Sequence, residues 1–288
     1  MANRKNLNLW LILLLILANA FVWQALFNLE RNQALEVTFF DVGQGDSIFI
    51  ETPSGHQILI DGGPDSKILE KLAKEMPWGD KTIDLIILTH PEKDHMVGLL
   101  KVLERYQVEQ ILWTGIICHT ADYDKWQELI QKEKAQITIA ESSQRIKAGG
   151  VFLNILYPFE SLEGEKFKES NNTSIIAQLI FSNSSFLFTG DAPQSIEKKI
   201  LSEYRKDVIN SDVLKVGHHG SKTSTSEEFL KEVSPEIAVI SCGKNNPYHH
   251  PHQDVLKNLE KFDIKILRTD QVGDIKIVST GDYLIINN

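Results

Sequence analysis

The sequence predicts an α/β (α+β) fold in four layers, with two mixed β-sheets face to face and helices on both outer sides. Apolar strand-like runs come first as a meander and then alternate with amphipathic helical patterns. The same order recurs in the second half of the chain. The 288 residues, 42% of them hydrophobic, are enough for one large domain or two small ones. We assign residues 36–288 to one domain, preceded by a single apolar helix.

An apolar segment precedes this domain. Residues 9–27 contain no charge over about 19 residues, which at about 1.5 Å per residue nearly spans a hydrocarbon core of about 30 Å. Arg4 and Lys5 come before the segment, and basic residues there predict that residues 1–8 lie in the cytoplasm. The segment is therefore predicted to be a single-pass transmembrane signal anchor, joined to the domain by a connector at residues 28–35.

A cleaved signal peptide is the alternative for the same segment. Residues 9–17 would form its apolar region, and Ala18-Asn19-Ala20 its cleavage site. The apolar run continues past this site through Phe27, which favours an uncleaved anchor. Whether anchored in the cell membrane or secreted after cleavage, the domain is expected to be extracytoplasmic.

The first half of the domain begins as a meander of strands. A tight turn is predicted at residues 43–46, because its two glycines adopt positive φ without strain. Strands are predicted over residues 36–42, 47–51, 57–61, 85–88, 109–113 and 137–140, and helices over residues 67–76, from His95 onward and over residues 122–134.

The second half repeats the alternation of strands and helices. Pro193 fits the first turn of a helix. Strands are predicted over residues 151–157, 174–181, 185–189, 212–216, 237–242, 264–268, 274–278 and 283–286, and helices over residues 193–204, 226–232 and 252–261.

Side chains that bind metals follow the predicted strand at residues 85–88. His90, Glu92, Asp94 and His95 lie within six residues, just before an apolar helical run. Imidazole nitrogens and carboxylate oxygens at this spacing can converge on one or two divalent ions. A random polar loop rarely concentrates such side chains, so we predict all four as metal ligands and Asp94 also as a catalytic residue.

Two later strand ends carry similar chemistry. Asp191 follows an apolar strand beside a glycine, where a carboxylate suits a ligand that bridges two ions. His218 follows another strand and is predicted as a further ligand. Its neighbour His219 is predicted to act in catalysis, by donating a hydrogen bond or by orienting His218.

A histidine cluster near the end of the domain adds a candidate proton donor. His250 is predicted to protonate the leaving oxygen or to contact the substrate. The nearby loops supply further candidate substrate contacts, which are Ser221, Lys222, Asn245 and His252.

These motifs resemble the metallo-β-lactamase superfamily, whose metal motif H-x-H-x-D-H here reads His90-x-Glu92-x-Asp94-His95. The carboxylate in the second position is similar to one branch of the superfamily, the nuclease-like domain of ComEC-type DNA-uptake competence proteins. Seven motifs follow that branch in the same order, over about residues 36–280: Phe40–Asp46, Ile60–Gly63, Thr89–His95, Asn171–Ser174, Thr189–Asp191, Lys215–Lys222 and Tyr248–His252.

The resemblance also indicates where this chain departs from its family. Many members carry another metal-binding histidine in the segment 170–174, and this chain has none. Asn171 or Asn172 is the expected replacement through its amide oxygen, and Asn172 is also a candidate substrate contact. The site is then richer in oxygen, which shifts the expected ions from Zn²⁺ alone toward Mn²⁺, with Mg²⁺ as a further candidate.

The resemblance implies an αββα hydrolase that uses one or two divalent ions to cleave phosphodiesters, with DNA as the substrate. The family includes a channel module that this chain does not contain, so a separate channel protein of a DNA-uptake system is an expected partner. Two alternatives stay open. One is a metal-dependent hydrolase of a small substrate such as a lactam, an ester or a nucleotide. The other is a non-catalytic binding module, whose decay Glu92 and the absent histidine would mark.

Charge and cysteine content constrain these choices only weakly. The net charge of −9 counts against a polyanionic substrate, although bound cations offset it locally. Cys118 and Cys242 form no metal-binding pattern, and the sequence leaves open whether they pair.

Overall fold

Apolar residues on the strands bury two sheets between layers of helices. The computed structural model describes residues 2–31 and 34–287, with the side chains of residues 8–23 and 34–287. Within these residues the strands form one sheet of eight and one of seven, with helices packed on the outer face of each. The predicted four-layer αββα fold is therefore confirmed for the domain.

The strands extend over most of the predicted ranges. In chain order they are β1 (Leu35–Phe39), β2 (Ile48–Glu51), β3 (Gln57–Ile60), β4 (Thr82–Ile87), β5 (Gln107–Trp113), β6 (Gln136–Ile139), β7 (Arg145–Ala148), β8 (Val151–Tyr157), β9 (Ile176–Phe181), β10 (Ser184–Phe188), β11 (Val213–Lys215), β12 (Ile237–Ile240), β13 (Lys265–Arg268), β14 (Ile275–Ser279) and β15 (Leu284–Asn287).

The helices lie between these strands. They are α1 (Ala2–Arg31), α2 (Lys67–Glu75), α3 (Lys93–Leu103), α4 (Ala121–Glu133), α5 (Gln194–Glu203), α6 (Lys206–Ile209), α7 (Glu227–Val233), α8 (Gln253–Lys261) and α9 (Thr269–Val272). Short 3₁₀ turns occur at Ser170–Thr173 and Gly217–Gly220.

Strand direction creates one functional edge. The first sheet has the order β15-β14-β1-β2-β3-β4-β5-β6, and the second has the order β13-β12-β11-β10-β9-β8-β7. Strands β3 to β6 run parallel, as do β10 to β13. Loops at the carboxyl ends of parallel strands are the usual position of ligand sites in α/β folds.

The main core lies between the two sheets. Phe39 of the first sheet meets Phe188 of the second, with ring centroids 6.3 Å apart, among buried aliphatic side chains. Burying each large apolar side chain contributes about 1.5–3 kcal/mol. Separate apolar clusters fix the outer helices, with Trp126 buried on one side and Phe229 on the other. The functional edge is thus supported from both sheets.

Close backbone contact positions helix α3, which carries predicted ligands. A Cβ placed on Gly98 would lie 1.8 Å from the carbonyl oxygen of Gly62, at the end of β3. A Cβ on Gly45 would lie 2.2 Å from the carbonyl oxygen of Asp94. Only glycine permits either approach, so the turn before β2 packs directly on the start of α3 and the segment after β3 packs on its middle.

Helix α1 contains the apolar run, and the described side chains at residues 9–17 and 21–23 are exposed apolar ones. Within the described part of the chain, no helix has both the length and the apolar character needed to cross a membrane. The predicted membrane span at residues 9–27 is therefore unsupported, and the side chains of residues 24–27 lie outside those described.

A few elements differ from the prediction. Strand β7 was missed because its sequence, Arg-Ile-Lys-Ala, is half basic, yet it forms the edge of the second sheet. Charged edge strands are common because they discourage pairing with other chains. Helices α6 and α9 have four residues each, too few for a helical period to show in the sequence.

Candidate metal centre

Side chains able to bind a metal follow the ends of parallel strands in both sheets. In the first sheet, Asp61 follows β3, and the segment His90–His95 follows β4 and enters α3. In the second sheet, Asp191 follows β10 and His219 follows β11. Because these strand ends meet at one edge of the sandwich, residues far apart in sequence lie together there.

Asp94, His95, Asp191 and His219 form the centre of this cluster, which we call the four-donor group. His95 Nε2 lies 3.4 Å from Asp191 Oδ1. His219 Nε2 lies 3.4 Å from Asp191 Oδ2 and 3.3 Å from Asp94 Oδ2. Three of the four residues are buried, whereas 29% of the Asp94 side chain is exposed. The group is therefore closed on its inner side and opens to solvent at Asp94.

Hydrogen bonds at the far ring nitrogens orient both imidazoles. His95 Nδ1 lies 2.8 Å from Asp61 Oδ2, and Asp61 also accepts hydrogen bonds from the backbone N–H and the hydroxyl of Thr89. His219 Nδ1 lies 3.0 Å from the carbonyl oxygen of Ser241. Acceptors at these positions hold a proton on Nδ1, so Nε2 is the atom of each ring that can bind a cation once its own proton is displaced.

His90 lies against the same group. Its Nδ1 contacts the Thr89 hydroxyl at 3.1 Å, and its ring centroid lies 4.2 Å from that of His95. Burial, and then the charge of His95, lower the pKa of His90 to about 3. A neutral imidazole offers its lone pair, so His90 Nε2 is suited to bind a cation.

A buried lysine lies beside the four-donor group. Lys215, the last residue of β11, is 1% exposed, and its ammonium group pairs with Asp46 and donates to the Gly190 carbonyl oxygen at 3.1 Å. The same Nζ lies 3.8 Å from Asp191 Oδ1. Asp46 Oδ1 lies 3.3 Å from His219 Nδ1. Lys215 thus compensates part of the charge of two buried carboxylates, which would be costly if left unpaired.

The carboxylates raise the proton affinity of the two central histidines. Burial opposes the protonation of His219, but the charges of Asp191 and Asp46 outweigh it and raise its pKa to about 9. Burial is likewise outweighed at His95, where Asp191 and Asp61 raise the pKa well above its ordinary value. Both rings hold a proton that a bound cation would have to displace.

The same interactions keep the central carboxylates ionised. Burial would raise the pKa of Asp191, but the charges of His219 and His95 hold it well below its usual range. The pKa of Asp94 is also lowered, because its contact with His219 Nε2 at 3.3 Å and the charge of His95 outweigh burial. Asp61 differs, since burial raises its pKa despite His95.

The arrangement of donors fits a divalent ion. Four overlapping trios have ligand atoms within 4.8 Å of one another: His90, His95 and Asp191; Asp94, His95 and His219; Asp46, Asp61 and His95; and Asp46, Asp191 and His219. His90 Nε2, His95 Nε2, His219 Nε2 and Asp191 Oδ1 are buried, with no hydrogen-bond partner within the described residues. Buried polar atoms normally have partners, and one cation would supply a common partner here. Mixed imidazole and carboxylate donors suit Zn²⁺ or Mn²⁺ better than Mg²⁺.

Glu92, another predicted ligand, lies beside this cluster. Its half-buried carboxylate accepts a hydrogen bond from the Ser170 hydroxyl, and it joins none of the compact trios of described residues. The following Asn171 has a buried Oδ1 without a hydrogen-bond partner among the described residues. Asn172 accepts a hydrogen bond from the Tyr157 hydroxyl through its backbone carbonyl at 2.9 Å. Asn171 therefore offers a buried amide oxygen that a cation could engage.

The histidine pair after β11 is arranged differently from the prediction. His219 lies in the four-donor group, whereas His218 Nε2 lies 3.8 Å from Asp191 Oδ2 and its Nδ1 contacts Thr223 Oγ1 at 3.1 Å. Both residues have left-handed backbones, with φ of 48° at His218 and 54° at His219. Such conformations cost about 1–3 kcal/mol each and concentrate at functional sites. Here they turn both rings toward Asp191.

His250 lies at the outer side of the same pair. Its ring centroid is 5.7 Å from that of His218 and 6.5 Å from that of His219. Its Nδ1 is buried without a hydrogen-bond partner in the described part of the chain. Burial, and then the charges of His219 and His218, lower its pKa to about 4. His250 is therefore neutral near pH 7 and offers both an N–H donor and a lone pair.

The predicted substrate contacts occupy the surrounding loops. His252 accepts a hydrogen bond from a backbone N–H of α8 at 3.3 Å, so its ring caps that helix. The buried Ser221 hydroxyl contacts Thr223 Oγ1 at 3.0 Å. Lys222 and Asn245 are exposed, and Asn245 lines a cleft that also contains His250.

Asp46, Asp61 and Lys215 were absent from the predicted site. Both acids stand next to a glycine at the end or start of a strand, which is the same signal that identified Asp191. In the sequence, Lys215 is only a single charged residue inside the apolar run Val213–Val216, and nothing there indicates its partner. A lysine that interrupts a buried strand requires a carboxylate partner, and here the partner comes from the opposite sheet.

Comparison with known proteins agrees with this geometry. Residues 40–244 match the family described as "Metallo-beta-lactamase superfamily". ComE operon protein 3 of Bacillus subtilis is 34% identical over 84% of this chain and 32% of its own length. Competence protein ComA of Neisseria gonorrhoeae is 30% identical over 93% of this chain and 35% of its own. Recombination protein 2 of Haemophilus influenzae is 28% identical over 90% of this chain and 31% of its own length. The chain thus spans about a third of these relatives.

Solved structures show the same fold at low sequence identity. The metallo-beta-lactamase fold protein YhfI from Bacillus subtilis aligns with a TM-score of 0.57 and 15% identity, over 85% of this chain and 99% of its own. Igni18, a metallo hydrolase from Ignicoccus hospitalis, aligns with a TM-score of 0.53 and 18% identity, over 84% of this chain and 98% of its own.

Proposed function

Because the chain belongs to the metallo-beta-lactamase superfamily, we propose that it is a metal-dependent phosphodiesterase that hydrolyses DNA. The family implies a hydrolase fold that binds divalent metal. The observation that carries the proposal is the four-donor group, in which Asp94, His95, Asp191 and His219 converge while buried ligand atoms lack partners within the described residues. Such a set argues against a decayed binding module, since decay would relax the costly burial of these groups.

The residues have separate roles in this proposal. Asp94, His95, Asp191 and His219 would hold a divalent ion, and His90 would extend the set. When bound, the ion supplies positive charge to a phosphoryl oxygen and lowers the pKa of a water molecule.

The surrounding residues fix this geometry. Asp61 holds the tautomer of His95, and Lys215 balances Asp46 and Asp191. We propose that His250 donates a hydrogen bond to the leaving oxygen, because its Nδ1 is buried without a partner among the described residues and its ring lies near His219.

The choice of DNA as substrate rests on the relatives. Two of them are named as a competence protein and a recombination protein, and the match extends over most of this chain. Because the chain spans only about a third of each relative, the DNA substrate and a separate channel protein as partner are proposals for this chain. A location outside the cytoplasm, based on the basic residues before the N-terminal apolar run, is likewise a proposal.

The test is cleavage of end-labelled DNA by purified, metal-stripped protein. Mn²⁺, Zn²⁺ and Mg²⁺ are added singly to single-stranded and double-stranded substrates, and products are resolved by length. We expect cleavage with Mn²⁺ or Zn²⁺ and its loss in Asp191→Asn, which keeps the size of the side chain but removes its charge. Asp212→Asn is the matched control, because this acid binds Ser185 at the opposite end of the second sheet.

Two results would contradict the proposal. Cleavage that persists unchanged in Asp191→Asn would trace the activity to a contaminant or to another site. Absence of DNA cleavage from protein that still binds metal would favour the small-substrate alternative, which is then tested with lactam, ester and nucleotide substrates.

A further inference from the structure

A cleft begins directly at the exposed side of the four-donor group. Its volume is about 710 Å³, and Asp94 and Glu92 line its inner end. Its walls are formed by the first turn of α3, the segment 117–122, the loop 166–170 and Tyr248. The cleft therefore connects the candidate metal centre with the protein surface.

Three lysines line this cleft, in a chain whose net charge is −9. Lys93, Lys166 and Lys168 are exposed, and none forms an ion pair with any residue that the structure describes. Some lysines elsewhere are paired, as Lys71 is with Asp274 at 2.7 Å. Ammonium groups gathered without acidic partners beside a metal centre are suited to bind anionic groups of a substrate.

Aromatic rings stand among these lysines. Phe167 lies between Lys166 and Lys168 in sequence and is half-buried, and Tyr248 is 65% exposed. The Tyr248 ring stacks on His250, with centroids 5.7 Å apart and planes 25° apart. A lysine-lined groove with exposed aromatic rings is the usual form of a site for single-stranded nucleic acid, because bases stack on the rings.

Backbone hydrogen bonds hold the lysine-bearing wall in place. The loop that carries Lys166 is bonded to the facing segment from Ile117 N to Glu165 O at 2.8 Å and from Gly164 N to Gly115 O at 3.0 Å. At its other end, the Ser170 hydroxyl donates to Glu92. The spacing between the lysines and the metal centre is therefore set by the fold.

We propose that this cleft binds the single-stranded segment of nucleic acid that flanks the scissile phosphodiester. Lys93, Lys166 and Lys168 contact its phosphates, and Tyr248 stacks on a base. The inference rests on the proposed phosphodiesterase function and names the residues that select single strands. The acids in the cleft are Glu92 and Asp94 at the metal end and Asp122 in the wall. The three lysines are therefore the groups in the cleft that attract the phosphates of a nucleic acid.

The test measures binding without cleavage. A fluorescein-labelled 12-nucleotide single strand is titrated with the 288-residue chain in EDTA, at several salt concentrations. Each phosphate contact with a single strand adds about 0.7 to the slope of log K against log salt. We expect the slope to fall by about 1.4 in Lys166→Gln/Lys168→Gln. The matched control is Lys74→Gln/Lys265→Gln, which removes the same charge from exposed lysines outside the cleft.

Stacking is tested separately at Tyr248. Loss of a stacked base weakens binding by about 1–3 kcal/mol, which is about 5- to 150-fold. We expect Tyr248→Ala to weaken binding of the single strand in this range, Tyr248→Phe to restore it, and a duplex of equal length to bind more weakly than the single strand. A duplex that binds as tightly as the single strand would overturn the single-strand assignment.

Failure of the cleft and failure of the proposed function give different results. An unchanged salt slope in the double lysine variant, with DNA cleavage intact in wild type, would overturn the cleft alone. A reduced slope in a protein that cleaves no DNA would support the cleft and overturn the nuclease. Equal effects of the cleft and control variants would mean that only net charge matters, which also overturns the cleft.

Discussion

Replacing Asp61 with asparagine should weaken metal binding even though Asp61 is outside the four-donor group. Its carboxylate accepts hydrogen bonds from Thr89 N at 2.8 Å, Thr89 Oγ1 at 2.6 Å and His95 Nδ1 at 2.8 Å. Asparagine has one acceptor oxygen, which Thr89 engages, and its NH₂ then faces His95. A donor at this position pairs only with an unprotonated Nδ1, so the proton moves to Nε2, the atom that should bind the ion.

The size of the effect follows from this change of tautomer. Loss of a hydrogen-bonded partner behind a ligating histidine typically lowers metal affinity 10- to 100-fold. Each factor of ten corresponds to about 1.4 kcal/mol, so we expect about 1.4–2.8 kcal/mol for Asp61→Asn. The ligand atoms all remain, and therefore the protein should still bind the ion at higher concentration.

The assay is competition for Mn²⁺ or Zn²⁺ between the protein and a fluorescent chelator. Asp84→Asn is a matched control, because Asp84 also accepts from a histidine, His56 Nδ1 at 3.1 Å, at the other end of the first sheet. Thermal melting of both metal-free variants verifies folding. A folded Asp61→Asn protein with affinity within twofold of wild type would refute the reasoning.

Three further predictions concern the centre and its support. His219→Ala should lower metal affinity far more than His218→Ala, because only His219 Nε2 lies near both Asp94 and Asp191; equal losses in the chelator assay would contradict this. The apparent affinity for Mn²⁺ should rise with pH toward about 9, because the ion must displace the proton of His219. In metal-free protein the melting temperature should fall as pH rises from about 6.5 through 9, because the raised pKa of His219 stabilises the folded state only while the imidazole is protonated. A metal affinity and a melting temperature that do not change with pH would contradict this prediction. Gly98→Ala should reduce the free energy of unfolding by about 1–3 kcal/mol through backbone overlap, whereas Gly150→Ala, with its nearest neighbour at 3.9 Å, should not, as urea unfolding will show.

Much of the fold was predictable because strands and helices carry distinct apolar periods. The last three residues of β4, Leu85–Ile87, and of β10, Phe186–Phe188, are all apolar and buried, as expected of strands covered on both faces. Strand β7 escaped because half of its residues are basic, and its position depends on pairing with β8 rather than on its own pattern.

The site was predictable where ligand chemistry follows a strand directly. His95 and Asp191 were identified in this way, and the structure brings them within 3.4 Å. The choice between His218 and His219 depends on a left-handed backbone that single-residue chemistry does not reveal. Lys215 was missed because its meaning comes from Asp46, which lies 169 positions earlier and in the other sheet.

The direction of β1 has a consequence for how the domain is presented to its surroundings. Leu35 begins β1 beside the end of β14, whereas the metal centre lies at the opposite end of the strands, roughly 16 Å away for a five-residue strand. The chain therefore enters the domain at the end of the sheets opposite the metal centre, whereas the lysine-lined cleft lies at the metal-centre end. The proposed substrate strand would therefore meet the protein at the end of the sheets opposite the start of β1.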